Sequence, residues 1–401
     1  MRILQICNKP PYPPRDGGSI AMFSLLRSLH GLGHEMTVLT MCTPKHRMTH
    51  AENTALAKIA HLHTVEVDTT VKLPYLVFNF VFSGKPYNAV RFISADFEKI
   101  LAGILTGGSF DVVQLEGLYL APYISTIRRY TTALVVLRAH NVEHEIWSRI
   151  AHTEPNLLKK FYFRLLARRI RRFESSTMNR YDLLVPITPR DLDLFSRLGN
   201  TCPAQVCPAG IDINPIGTTP VLDEQSLFFL GSMDWIPNQE GLLWFVSAVF
   251  PDLKRRIPGL TLHIAGRNAP LWLAGRLTGP GIAFHGEIAD AHGFMLAHGI
   301  LVAPYFSGGG MRVKIAEAMS LGIPVVTTPM GAEGIEVING ENVVIANTAE
   351  EFLVQLERLV KYPDFCLNIG NSARDFVQQR LDNQKLAVSL TGFYNKYLRC
   401  S

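Results

Sequence analysis

The sequence predicts an α/β protein of two Rossmann-like, doubly wound domains, and three observations carry that expectation. Short β-branched runs alternate with amphipathic stretches along the whole chain. The alternation stops at a segment rich in Pro, Gly and Thr and then restarts. A length of 401 residues also exceeds what one core usually fills. The balance of 47% hydrophobic against 18% charged residues excludes a disordered or fibrous chain.

In the N-terminal half the strands read RILQIC, MTVLTM, DVVQLE, ALVVLRA and LLVPIT. Between the first two, IAMFSLLRSLHGLG repeats apolar residues at helical spacing, and Gly31 and Gly33 suit a C-terminal cap. Strand and helix in alternation give a parallel sheet with helices on both faces. After PAGIDINPIGTTPVLDEQ the pattern resumes with SLFFLGS, LTLHIAG, IAFHG, ILVAPY, PVVTT and NVVIA. The expected organisation is an N-terminal domain over 1–212, a junction within 213–225, a second domain over 226–380, and a terminal helix over 381–401 that packs back on the first domain. Strand carboxyl ends and helix N-termini converge in such folds, so the expected site is a cleft across which the two domains face each other.

A net charge of +5 is mild, and much of the excess falls within 159–172, so nucleic acid is not an expected partner. The apolar run before Asn8, Lys9 and Pro10 is too short for a signal peptide. No segment approaches the roughly 18 apolar residues of a membrane span, which makes the cytoplasm the expected location. Six cysteines without a C-x-x-C pair read as reduced thiols.

Neither G-x-G-x-x-G nor G-x-x-x-x-G-K-[ST] follows a predicted strand, so phosphate binding would need another device. The stretch SGGGMRVKIAEAMSLGIPVVTT, over 307–328, supplies one. Strand ILVAPY ends at Tyr305, then Gly308, Gly309 and Gly310 form a turn, and 311–321 reads as a helix ending at Gly322. The unpaired N–H groups of such a helix start favour an anion, and glycines let a phosphate approach the backbone. Arg312 and Lys314 add mobile positive charge there. Glu317, further in, offers two acceptor oxygens to the vicinal hydroxyls of a ribose. Phosphate plus ribose points to a nucleotide. Spacing alone leaves a second reading open: a tight turn, with Glu317 capping or salt-bridged and the cations in solvent.

Taken together, the phrases PPYPPRDGGSIAMFSLLRSLHGLGHEMTVLT, RAHNVEHEIW, LGSMDWIPNQEGLLWF, LHIAGR, SGGGMRVKIAEAMSLGIPVVTT and PMGAEGIEV resemble the GT-B glycosyltransferases. The resemblance is to their retaining family-four group, glycosyl transferases group 1, and runs from Arg2 to about Val337. It implies transfer of a sugar from a nucleoside diphosphate sugar to a hydroxyl acceptor (a glycan, a lipid-linked acceptor or a small molecule). Retained anomeric configuration is implied too, with neither a metal nor a resident cofactor.

By the same resemblance, the loop with Gly17 and Gly18 closes on donor phosphates and acceptor. Gly231 and Ser232 lie near the diphosphate, and Arg267 near the base or phosphates. Gly308, Gly309, Gly310 and Met311 hold the donor, with Glu317 on its ribose. Arg312 and Lys314 stabilise the leaving group, and His140 lies beside the donor sugar, where it can hydrogen-bond or move a proton. Two departures stand out. Many relatives carry a Glu-x7-Glu pair whose first member is here Gly309, and a Lys where this chain has Asn238; Arg267 or Arg312 would have to compensate. The loop is therefore of the Gly-Gly-x-Arg-x-Lys subgroup, and an epimerase, a hydrolase or an inactive nucleotide-sugar-binding scaffold stays open as an alternative.

Three further patterns have competing readings. HNVEH has the i, i+4 spacing of two metal ligands around Glu143, yet no third ligand is evident and a structural histidine competes. Asp191 and Asp193 look like a D-x-D metal site, but Thr188 suits an N-cap, Pro189 the first helical position and Asp191 the first turn, so the metal reading is rejected. Segment 159–173 places Phe161, Leu165, Ile170 and Phe173 roughly on one helical face with cations elsewhere. That suits peripheral contact with an anionic membrane and a lipid-linked acceptor, or a domain helix with a solvated basic face. The stretch 73–84, LPYLVFNFVFSG, carries the same pair of readings.

Overall fold

The computed structural model describes residues 1–213, 225–308 and 310–398. Gly309 and nearly all of the expected junction at 213–225 therefore lie outside the described residues. The chain divides into two compact units, Met1–Gly210 with Asn383–Ser401, and Ile211–Asp382.

The first unit is built on strands β1 (Arg2–Cys7), β2 (Glu35–Cys42), β3 (His61–Glu66), β4 (Val112–Glu116), β5 (Leu134–Ala139) and β6 (Leu183–Pro186). They form one parallel sheet in the order β3-β2-β1-β4-β5-β6, which reverses direction between β1 and β4. Alternate residues face opposite sides. Leu4, Ile6, Val113, Leu115, Val135 and Leu137 pack with Phe97 and Leu101 on one face. Ile3, Val112 and Val136 pack on the other with Leu25, Leu26, Leu390 and Tyr394.

Two helices cover that second face. Gly17–Gly31 begins with a capping box, Asp16 accepting from the Ser19 N–H while the Ser19 hydroxyl accepts from the Asp16 N–H, each at 2.9 Å. It ends at Gly33, whose φ of 82° lets the His34 N–H donate back to the Leu29 carbonyl. The Asn383–Leu398 helix belongs to this unit although it is the last described element of the chain. Its Thr391 hydroxyl lies 2.9 Å from His34 Nε2.

The second unit repeats the plan with β7 (Ser226–Leu230), β8 (Thr261–Ala265), β9 (Ile282–Gly286), β10 (Ile300–Ala303), β11 (Val325–Thr327) and β12 (Val344–Ile345). The order is β12-β11-β10-β7-β8-β9, again all parallel. Leu227, Phe229, Leu262, Ile264, Ile300 and Val302 form one face of its core with Leu242, Phe245 and Phe352.

The 21-residue Leu157–Thr177 helix corrects the single apolar face expected at 159–173. Ile170 is fully buried but Phe161 is 65% exposed, so the C-terminal half packs while the first turns carry apolar residues into solvent. The reason is helical geometry: Ile170 lies on the opposite side of the helix from Phe161 and packs with Leu166 on Leu118, together with Tyr162 from the second turn. Among the described residues no helix is long and apolar enough to cross a membrane.

Candidate functional site

In the second unit the sheet reverses direction between β7 and β10, and ligands bind such folds outside the carboxyl ends of strands at that point. The loops leaving β7, β8 and β10 carry most of the residues expected to hold the donor. Gly231 and Ser232 directly follow β7, and Gly266 and Arg267 follow β8. These two loops touch backbone to backbone: the Met233 N–H donates to the Arg267 carbonyl at 2.8 Å, and Arg267 Nε donates to Ser232 Oγ at 3.4 Å. Asn238, in the Ile236–Ala248 helix, is 4% exposed. Its amide donates to the Ser232 carbonyl at 2.8 Å, so this side chain holds the loop in shape.

The loop after β10 is arranged by its arginine. Arg312 is 6% exposed and is not the mobile cation its sequence suggests. Its guanidinium donates to the Ser307 and Gly310 carbonyls at 3.1 Å each, and lies 5.0 Å from the Trp235 ring and 4.9 Å from the Tyr305 ring. Gly308 and Gly310 take φ values of 94° and 77°, which glycine alone adopts without strain, and a Cβ on Gly308 would sit 2.9 Å from the Arg312 guanidinium. This left-handed backbone delays the helix. It spans Val313–Ser320, two residues later than expected, and no side chain caps its N-terminus. Met311 sits on the approach to that helix start, partly exposed. Lys314 donates to Glu317 Oε2 at 2.6 Å, with side-chain exposures of 35% and 14%. The salt bridge of the alternative reading is thus present, and it presents both charges one turn from the glycines.

In the first unit, Gly17 opens the first helix, and a Cβ on Gly18 would meet Lys9 Nζ at 3.2 Å. Lys9 also donates to both Asp16 oxygens, at 2.7 and 2.8 Å. Burial works against the charged Asp16, but Lys9 and the Ser19 donors outweigh it and hold the carboxyl at about 2. This helix start is therefore occupied by its own acid, unlike the start at Val313.

His140 follows β5, with Nε2 2.6 Å from Glu116 Oε2. Glu116 is wholly buried beside Arg138, whose Nη1 lies 3.4 Å from the same oxygen. Gln5 and Gln114 donate to the other oxygen at 2.8 and 2.5 Å, and Tyr394 donates to Gln114 at 2.6 Å. Burial would raise the Glu116 pKa, but the Arg138 charge and the His140 bond prevail and hold it at about 2. Burial lowers the His140 pKa, with the Glu116 bond opposing only in part, so the ring is neutral near pH 7. The sequence missed this buried network. Its one signal was polar residues at matching register in otherwise apolar strands: Gln5 opposite Gln114, and Glu116 opposite Arg138.

Among the described residues, neither the HNVEH pattern nor the rejected D-x-D pattern gathers a set of metal ligands. His144 Nδ1 bonds Glu174 Oε2 at 2.6 Å while His140 bonds Glu116. Glu143 faces the Tyr119 hydroxyl 2.8 Å away, and burial first, then Glu174, raises its pKa to about 7. The Asp191 N–H donates to Thr188 Oγ1 at 3.0 Å, the expected cap.

Two parallel six-stranded sheets, each with one reversal of strand order, define the class, a pair of doubly wound α/β units. Residues 224–362, the greater part of the second unit, match the family model of Glycosyl transferases group 1. A Klebsiella pneumoniae protein described as an uncharacterized 44.6 kDa protein in cps region is 23% identical over 402 residues, covering 97% of this chain and 98% of that protein. Sucrose-phosphate synthase from Thermosynechococcus elongatus has a similar structure, with a TM-score of 0.70 at 15% identity over 100% of both chains. HepE from Anabaena, solved in complex with UDP and glucose, gives 0.67 at 15% identity over 99% of this chain and 100% of its own. The fold is GT-B.

Proposed function

We propose that the protein transfers a sugar from a nucleoside diphosphate sugar to a hydroxyl acceptor with retained configuration. The observation that carries this reading is the uncapped start of the Val313–Ser320 helix, reached through left-handed glycines at the switch point of a unit that matches a glycosyltransferase family. As the glycosidic bond breaks, negative charge grows on the diphosphate. The helix start, Lys314 and the buried Arg312 charge stabilise it more in the transition state than in the ground state. The acceptor oxygen attacks the face from which the phosphate departs, and its proton passes to a phosphate oxygen. That charge set needs no metal ion. Gly17, Gly18, Gly231, Ser232 and Arg267 line the remaining donor contacts in this reading, with His140 serving the sugar.

HepE has been solved with UDP and with UDP-glucose, which makes uridine diphosphate sugars the first donors to test. Glu317→Ala is expected to weaken nucleotide affinity about 10-fold or more, the worth of a hydrogen bond to a charged acceptor. Calorimetry with UDP, GDP, dTDP and ADP sugars reads it, and unchanged affinity for a donor that binds the natural chain removes Glu317 from the ribose.

For the acceptor side we infer contact with an anionic membrane. Leu157, Leu158 and Phe161 are 79%, 83% and 65% exposed. They share the first turns of their helix with Lys159, Lys160 and Arg164. The neighbouring Leu73–Phe82 helix, joined by a bond from Arg169 Nη1 to the Asn79 carbonyl at 3.2 Å, exposes Tyr75, Phe78 and Phe82. An apolar patch rimmed by cations suits a lipid surface and a lipid-linked acceptor. Pelleting with phosphatidylglycerol vesicles is expected for the natural chain and lost in Leu157→Asp/Leu158→Asp/Phe161→Asp; equal pelleting of both overturns the assignment.

A further inference from the structure

Three histidines from separate elements meet on the second sheet, on the face opposite its Leu262 and Ile264 core. His263 is the third residue of β8, and His285 the fourth of β9. His285 is the extra residue of a bulge, between the pairs Ile264↔Phe284 and Ala265↔Gly286, and its ring stacks on that of His263 with centroids 5.3 Å apart. His298 stands just before β10. Each offers a ring nitrogen, and the three nitrogens lie within 4.8 Å of one another. His263 Nδ1 is 3.0 Å from His285 Nε2, and the His263 and His298 rings lie 4.0 Å apart.

The surroundings are those of a ligand set. Ser226 Oγ lies 2.9 Å from His298 Nδ1; in the tautomer in which it accepts from Nδ1–H, Nε2 is the nitrogen left to bind an ion. Phe294 stands edge-on to His298 and His285, at 4.5 and 5.4 Å, and Phe228 is fully buried beside them. His285 is exposed, which gives an ion a way in.

We propose that His263, His285 and His298 bind one zinc-class divalent ion, with water as the fourth ligand. Bonds of about 2.0–2.1 Å set tetrahedral nitrogens about 3.3 Å apart. The His263 and His285 pair is close to that separation; the His298 ring, stacked on His263 at an interplanar angle of 21°, would have to rotate to bring its nitrogen to the same ion. Ser226 and His298 sit at the amino ends of β7 and β10, opposite the donor loops, so the ion acts as a staple of β8, β9 and the turn before β10. The proposal does not depend on sugar transfer.

The test uses the full chain without a polyhistidine tag, stripped with a chelator and titrated with ZnCl2 by calorimetry and thermal shift. The expected result is about one tightly bound equivalent and a raised Tm. His285→Ala, at an exposed position, is expected to lose that equivalent. Ser226→Ala is expected to weaken it about 10-fold, as removal of an orienting partner does. A natural chain that takes up no zinc, or one whose affinity survives both substitutions, overturns the proposal.

Discussion

Glu116→Ala is expected to destabilise the first unit by about 3–5 kcal/mol, because it leaves the Arg138 guanidinium buried without its counter-charge. Arg138 is 1% exposed and Glu116 likewise, so water cannot replace the lost carboxylate. Its remaining acceptor is the Ala21 carbonyl, 3.1 Å from Nη1. The same substitution removes the group that orients His140, so the imidazole pKa falls further below its ordinary value and the ring loses its fixed tautomer. Glu116→Gln separates the two effects, keeping the shape while deleting the charge. Urea unfolding followed by Tyr394, and NMR titration of His140, measure them. A His140 titration identical in the natural chain and in Glu116→Gln sinks the orienting role even if stability falls.

The acid side of the stability profile follows with a definite sign. Glu116 titrates near 4.5 when unfolded and at about 2 when folded, so its contribution is complete above about pH 4.5 and is lost as pH falls toward 2. His140 also has a depressed folded pKa, and its contribution fades as pH drops below 6.5. Both act in the same direction. Glu116→Ala should therefore lower the plateau and remove the Glu116 part of the acid limb, below about pH 4.5, while the His140 part remains.

Gly266→Ala is the second large effect. A Cβ there would lie 1.8 Å from the Gly231 carbonyl oxygen and 3.0 Å from its carbon, both of them backbone atoms. No side-chain rotation relieves such a clash, so the β7 and β8 loops must part, breaking the Met233 to Arg267 bond that joins them. A cost of about 3 kcal/mol is expected, at the upper end for overpacking, with loss of donor binding. Gly103, in the Ala95–Gly107 helix, is the control: a Cβ there meets nothing within 4 Å, and Gly103→Ala should stabilise by about 0.4–1 kcal/mol. Calorimetric Tm values and donor affinity for the two variants decide it. A Gly266→Ala protein with natural Tm and affinity contradicts the close approach of the loops.

Much of the scaffold was legible because apolar periodicity reports burial. Every strand quoted from the sequence is present, most of them as runs of buried residues; the edge strand β9 is only partly buried but keeps the apolar pair Ile282 and Phe284. β3 was not foreseen: in HLHTVE only Val65 is buried, so an edge strand facing solvent left no apolar run to read. The helix after the glycines was foreseen, but the left-handed Gly308 and Gly310 delay its start, and Arg312 turns inward onto Trp235 and Tyr305 rather than outward. A linear sequence lists a cation's position and says nothing of which aromatic rings will flank it.

By itself, then, the sequence determined what depends on neighbours along the chain: two parallel α/β units, the caps at Thr188 and Gly33, and the glycine turn before a helix. Tertiary structure alone decided which polar groups share a partner. Glu116, Arg138 and His140 meet through strand register, and His263, His285 and His298 through a sheet face, although 22 and 13 positions separate the latter in the chain. Periodicity specifies a residue's face, whereas pairing across strands fixes its neighbours, and only the folded sheet contains that second quantity.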